Sequence, residues 1–182
     1  MKKFVMIFLL SFLVLNIANA RNLEFQDMFT MNRVSNATVS PDGNWIAYVI
    51  SKYDVESNSG NKDIFLVSMD GKTTQRLTTN SKNDFSPRWN PNGKQLSFIS
   101  TRNGSAQIYQ ISLSGGEAVQ LTNVPTGVDD FVWSPDGKYL VIATQLLPDA
   151  KSPAESVKME EDAQKAGGSG REIDRLMYRH CV

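Results

Sequence analysis

"WSPDGKYL" (Trp133–Leu140) restates two earlier stretches, "WNPNGKQL" (Trp89–Leu96) and "VSPDGNWI" (Val39–Ile46). Each contains a Pro-Asp/Asn-Gly turn. Proline fixes φ near −65°, which suits the second position of a type I turn. Asp or Asn follows well there, and glycine accepts the positive φ on the way out. Ser40, Asn90 and Ser134 stand where a side chain can bond to the turn backbone. Three tight reversals between strands are therefore predicted.

The residues after each turn alternate. Ile46 and Tyr48, Leu96 and Phe98, and Leu140 and Ile142 occupy equivalent places. Between and beyond them stand Ala47 and Val49, Ser97 and Ile99, and Val141 and Ala143. Period two is a strand, and neither face is strongly polar. Such a strand is expected to be covered on both sides by stacked sheets.

The likeness extends past the turns. "DIFLVSMDGKTTQRLT" (Asp63–Thr78) matches "QIYQISLSGGEAVQLT" (Gln107–Thr122). Ile64 and Ile108, Leu77 and Leu121, and Trp89 and Trp133 are each 44 residues apart. One spacing shared by three features is an internal repeat. Each unit holds four short strands: one into the turn, one out of it, a third at Ile64–Ser68 or Ile108–Leu113, and a fourth around Leu77 or Leu121. A four-stranded antiparallel unit of this length is a β-propeller blade. Pro41 and Pro91 are 50 apart, so the first unit is longer by about six residues. These fall in the polar stretch Tyr53–Lys62, expected to be a loop.

The fold class is thus all-β, a partial propeller of about 2.5 blades over residues 21–145, the blades spanning about 34–79, 84–122 and 128–145. Residues 146–172 read as a charged insertion or linker. It is expected to hold a short helix over Ala154–Ala166 and a flexible break at Gly167-Gly168-Ser169-Gly170. Residues 173–182 resume apolar spacing as the start of a next strand. Two and a half blades cannot close a ring of the usual four to eight. Two outer sheet faces and several strand edges would be left uncovered, an arrangement that invites association.

The amino terminus reads differently. Lys2 and Lys3 precede an apolar run, Phe4–Leu15, broken only by Ser11, and small residues stand at Ala18 and Ala20. This predicts a signal peptide over residues 1–20, cleaved after Ala20, and an exported, periplasmic or extracellular protein. The run is shorter than the roughly 20 residues that span a bilayer, so no membrane attachment is expected after cleavage. Without Lys2 and Lys3 the 19 basic side chains fall to 17 against 19 acidic ones. No basic block exists to neutralise phosphates, which argues against nucleic acid. Cys181 is the one cysteine, so an internal disulfide is excluded.

The repeats resemble the propeller of the prolyl oligopeptidase family of serine peptidases, in particular its dipeptidyl-peptidase V and acylaminoacyl-peptidase branch. The resemblance runs from "DMFTMNRVSNATVSPDG" (Asp27–Gly43) through "PRWNPNGKQLSFISTRNGSAQIY" (Pro87–Tyr109) and "DDFVWSPDGKYL" (Asp129–Leu140) to "DRLMYRH" (Asp174–His180). The middle repeats are shared with WD40/TolB-like propellers. The opening segment and "LMYRH" discriminate more. The resemblance implies a propeller that precedes an α/β-hydrolase domain and restricts access to its Ser-Asp-His triad. It implies peptide substrates for the parent enzyme. The pattern departs at Cys181-Val182, where family members continue; an early stop, a frameshift or a partial gene would each produce this. The alternatives are a TolB-like periplasmic propeller with protein partners and a non-functional truncated product.

No residue here is expected to be catalytic, to bind a cofactor or to hold a metal. An acyl-transfer triad needs a nucleophile, a base and an orienting acid, and this family presents its serine as G-x-S-x-G. Ser169 lies in Gly167-Gly168-Ser169-Gly170-Arg171, which lacks the last glycine and reads as a joint. His180 is the one histidine and lies near the chain end. It reads as a strand-end residue. Asp42 and Asp136 read as turn residues rather than calcium ligands, since Asn92 replaces them in the second unit. Glu160-Glu161-Asp162 reads as a solvated helix face. Trp89 and Trp133 read as blade packing rather than platforms for a sugar or base. Asn36 and Asn103 fit the glycosylation sequon and are assigned no role.

Overall fold

A computed structural model describes residues 22–165. A single turn of helix, α1 (Asp27–Thr30), precedes the first sheet, formed by β1 (Arg33–Val39), β2 (Trp45–Asp54), β3 (Ser59–Ser68) and β4 (Thr74–Arg76). The second sheet holds β5 (Asp84–Trp89), β6 (Gln95–Ser100), β7 (Gln107–Ser112) and β8 (Val119–Gln120). A third has two strands, β9 (Asp130–Trp133) and β10 (Leu140–Ala143), and α2 (Pro153–Lys165) follows. Each sheet is an antiparallel meander in chain order. Among the described residues the sheets do not close into a ring.

The turns form by the expected chemistry. Gly43 N donates to Ser40 O at 2.9 Å, with Gly43 at φ +73°. Ser40 Oγ donates to Asp42 Oδ1 (2.5 Å) and accepts from Trp45 N (2.9 Å), while Asn44 N donates to Asp42 Oδ1 (3.1 Å). Ser134 and Asp136 repeat the arrangement, Tyr139 N donating to Ser134 Oγ at 2.9 Å and Lys138 N to Asp136 Oδ1 at 3.1 Å. In the second unit Lys94 N donates to Asn92 Oδ1 at 2.9 Å, so an amide serves as well as a carboxylate. Ser68 and Asp70 build the same corner between β3 and β4.

Two features depart from the sequence reading. Tyr53–Lys62 is not a loop: β2 and β3 pair continuously to Asp54↔Ser59. The added residues lengthen a hairpin whose tip is held by Ser57 N donating to Asp54 Oδ1 (3.0 Å) and by a Tyr53 hydroxyl–Asn58 Oδ1 bond. Extended pairing satisfies backbone groups that a loop would leave to water. Second, β1 and β5 each carry a bulge, at Ser35/Thr38 and Phe85/Arg88, with Asn36 and Ser86 both at φ 52°.

Blades stack through their alternating faces. Ala47, Val49, Ile64 and Leu66 of blade 1 meet Leu96, Phe98, Tyr109 and Ile111 of blade 2. Ile99 and Ile108 on the other face of blade 2 meet Phe131, Trp133 and Leu140 of blade 3. β6 is consequently buried from Leu96 to Ser100. The two tryptophans act as pegs across the seams. Trp89 Nε1 donates to Thr38 O (3.0 Å), and Trp133 Nε1 donates to Ser97 Oγ (3.2 Å).

α2 covers the expected helical stretch. Pro153 opens it, Glu155 N donates to Ser152 Oγ (3.2 Å), and Lys151 N donates to Glu155 Oε2 (2.8 Å). The Ser152 bond is half of a capping box; Glu155 reaches back one residue further, to the amide before the N-cap. Buried Ser156 ties the helix to the preceding chain by accepting from Leu147 N at 2.8 Å. Glu160, Glu161 and Asp162 are exposed on it, with Lys165 3.8 Å from Glu161. The predicted signal peptide, the Gly167–Gly170 break, Ser169, the 173–182 strand, His180 and Cys181 lie outside the described residues. No described helix is long and apolar enough to cross a membrane.

Candidate functional site

A recess opens among the described residues where blade 1 meets blade 2, a cleft of about 600 Å³. Leu77 and Ile111 supply its apolar wall; Thr78, Arg102, Tyr109 and Gln120 supply polar groups. Leu77 enters it because the chain leaving β4 bonds back to β3, Leu77 N to Ile64 O at 2.8 Å. Thr78 Oγ1 accepts from Ile64 N at 3.0 Å. Blade 2 repeats both contacts, Leu121 N to Ile108 O (2.8 Å) and Ile108 N to Thr122 Oγ1 (2.9 Å).

Arg102 dominates the electrostatics. Its Nη2 lies 3.0 Å from both carboxylate oxygens of Asp84, which is fully buried, and its Nε donates to Ser100 Oγ at 2.9 Å. The guanidinium also sits 4.5 Å from the Tyr109 ring centroid and 5.5 Å from that of Phe98. A buried carboxylate needs such a partner, and stacking on two rings fixes the guanidinium plane. Burial raises the Tyr109 phenol pKa; the positive charge of Arg102 opposes this and the negative charge of Asp84 adds to it. The phenol donates to Gln120 Oε1 at 2.8 Å, which also accepts from Asn103 Nδ2 at 2.9 Å.

The cleft can hold a polar ligand through side-chain amides, hydroxyls and one aromatic edge. It brings together no nucleophile with a base. Among the described residues no three His, Cys, Asp or Glu side chains gather for a metal. Asp42 and Asp136 stand at separate blade corners, their carboxyls held below the usual range chiefly by the Ser40 and Ser134 hydroxyls and then by the Asn44 and Lys138 amides. Asn36 lies in the β1 bulge. Asp84 and Arg102 were not singled out by the repeat. In blade 1 the positions equivalent to Asp84 and Arg102 hold Val34 and Lys52, so the repeat does not reproduce the pair.

Comparison with known proteins follows the architecture. The model of the TolB beta propeller domain (PD40) matches residues 13–165. A dipeptidyl-peptidase 5 of Porphyromonas gingivalis is 36% identical over 76 residues, 42% of this chain and 11% of the relative. A dipeptidyl-peptidase 5 of Porphyromonas endodontalis is 32% identical over 153 residues, 84% of this chain and 21% of the relative. The chain thus spans about a fifth or less of these curated relatives' length. Among solved structures, uncomplexed Pyrococcus horikoshii acylaminoacyl peptidase superposes with a TM-score of 0.54 at 25% identity, over 68% of this chain and 19% of that one.

Proposed function

Because the chain belongs to the TolB β-propeller domain family, we propose that it is the propeller portion of an exported serine peptidase of the dipeptidyl-peptidase type, without hydrolytic activity of its own. The observation that carries this reading is the 32% identity over 84% of the chain to a dipeptidyl-peptidase 5 of which it matches 21%. The described residues supply seams, corners and a polar cleft. They supply no histidine, since His180 is the only one in the sequence. In this reading the substrates of the parent are peptides, and the propeller limits what reaches a hydrolase domain encoded elsewhere.

The purified chain, incubated with chromogenic dipeptide substrates and with a fluorophosphonate probe, is expected to give no turnover and no label. Stoichiometric labelling at a serine overturns the reading. A coding sequence that continues past codon 182 into a G-x-S-x-G elbow identifies the parent. Export has its own test: amino-terminal sequencing of the mature protein should begin at Arg21.

A second reading is a protein-binding propeller of the cell envelope, for which the support is the match to the TolB beta propeller domain. Further blades, rather than a hydrolase, encoded after residue 182 would favour it.

A further inference from the structure

The first strands of successive blades lie against one another, β1 on β5 and β5 on β9, while β4 and β8 form the far edges of their sheets. The blades therefore splay outward, and the cleft of about 600 Å³ opens between them on the β4 and β8 side. Its volume is in the range of small-ligand sites. Both walls come from sheets with all four strands in place, so further blades stacked on the outer faces of blades 1 and 3 leave the cleft unchanged.

Arg102 is only partly used. A guanidinium has five N–H donors. Nε spends one on Ser100 Oγ, and Nη2 spends two on the Asp84 oxygens. The two on Nη1 meet no acceptor among the described residues, and Arg102, with 17% of its side chain exposed, lines the cleft. Asp84 already cancels the charge, so the free donors suit a neutral acceptor such as an amide carbonyl better than an anion. On the blade 1 wall, Leu77 N and Thr78 N both donate to Ile64 O. The N–H and C=O of exposed Thr79, next in the chain, make no bond among the described residues. Leu77, Ile111 and Ala118 add a short apolar strip, and exposed Glu117 stands on the blade 2 wall. The Tyr109 ring is 3% exposed beneath the guanidinium, so no aromatic platform is open to a sugar.

We propose that this cleft binds an extended peptide segment of neutral or basic character. One peptide carbonyl accepts from Arg102 Nη1, and the peptide main chain pairs with the free N–H and C=O of Thr79. A small aliphatic side chain lies on Leu77 and Ile111. Glu117 favours a basic residue beside it over an acidic one. This chain supplies every group, so the site does not rest on the peptidase reading, and no reaction takes place in it.

Amide-detected NMR titration of the purified chain with the blocked peptide acetyl-Lys-Val-Lys-amide tests this. Saturable shifts should concentrate at Thr79, Arg102, Tyr109 and Ala118. Acetyl-Lys-Gly-Lys-amide should bind about fivefold more weakly, since it leaves the apolar strip uncovered. Acetyl-Asp-Val-Asp-amide should also bind more weakly than its lysine counterpart, and Glu117→Lys should reverse that order. Ala118→Trp fills the cleft and should abolish the shifts. Should that variant lose the wild-type circular-dichroism signal, the reversal by Glu117→Lys, made at an exposed position, decides alone. Three results overturn the proposal: shifts at these residues with maltose but not with the peptides, or with neither; unchanged binding to a folded Ala118→Trp chain; or a probe order that Glu117→Lys leaves as it was.

Discussion

Trp133 reaches across the second seam to donate from Nε1 to Ser97 Oγ at 3.2 Å, and Ser97 is fully buried. The indole therefore contributes both packing and a bond to a hydroxyl cut off from water. Trp133→Phe should cost about 1 kcal/mol, the usual net value of one hydrogen bond. Trp133→Ala should cost about 3 kcal/mol or more, because it also opens the seam. Denaturant unfolding of both variants separates the two contributions. Pairing Trp133→Phe with Ser97→Ala should cost less than the two single changes added together, since both remove one interaction.

Arg102 holds a carboxylate with no exposure to solvent. Removing one partner of a buried pair leaves an uncompensated charge, so Arg102→Met should destabilise by about 3–5 kcal/mol. Arg102→Met combined with Asp84→Leu should recover a large part of that loss. A double variant no better than the single would show that stacking on Phe98 and Tyr109, rather than charge, is what Arg102 supplies.

The corner carboxylates predict a pH response. Asp42, Asp70 and Asp136 all titrate below the ordinary Asp value in the folded chain, each chiefly through a serine hydroxyl. A depressed folded pKa gives stability that is complete above the unfolded value of about 3.9 and is lost as pH falls through the depressed value. Replacing all three by Asn should flatten the acid limb of a plot of melting temperature against pH. Near pH 7 the change should be small, because Asn92 already makes this corner in blade 2. An unchanged acid limb would place the acid sensitivity elsewhere.

The bulge in β5 makes a backbone prediction. Ser86 has φ 52°, a region that costs a side-chain-bearing residue about 1–2 kcal/mol. Ser86→Gly should raise stability by up to about 1 kcal/mol. Ser86→Val should lower it by about as much or more, since a branched Cβ is least at ease there. Thermal unfolding of the two variants in parallel checks the sign.

Much of this architecture was legible because blades are built from local, repeated chemistry. Pro-Asp-Gly and Pro-Asn-Gly each dictate a reversal, and the alternation after them assigns Leu96 and Ile99 to opposite faces of one strand. The 44-residue spacing of Trp89 and Trp133 marked them as equivalent pegs before their acceptors were known. The β2–β3 extension was misread because polar residues such as Ser57 and Asn61 resemble a loop, while two strands can pair without a buried face. The bulges left no trace, since Asn36 and Ser86 are unremarkable in composition. The Asp84–Arg102 pair was also hidden: it joins residues 18 apart through a contact that blade 1 does not repeat.

The two seam pegs end on acceptors of different kinds. Trp89 bonds the main-chain carbonyl of residue 38, which every amino acid possesses, whereas Trp133 bonds a hydroxyl that only a few side chains provide. Genetic drift at position 38 is therefore buffered in a way that drift at position 97 is not. A saturation library scored for soluble expression should tolerate broad replacement at the former and retain serine, threonine or similarly small polar groups at the latter.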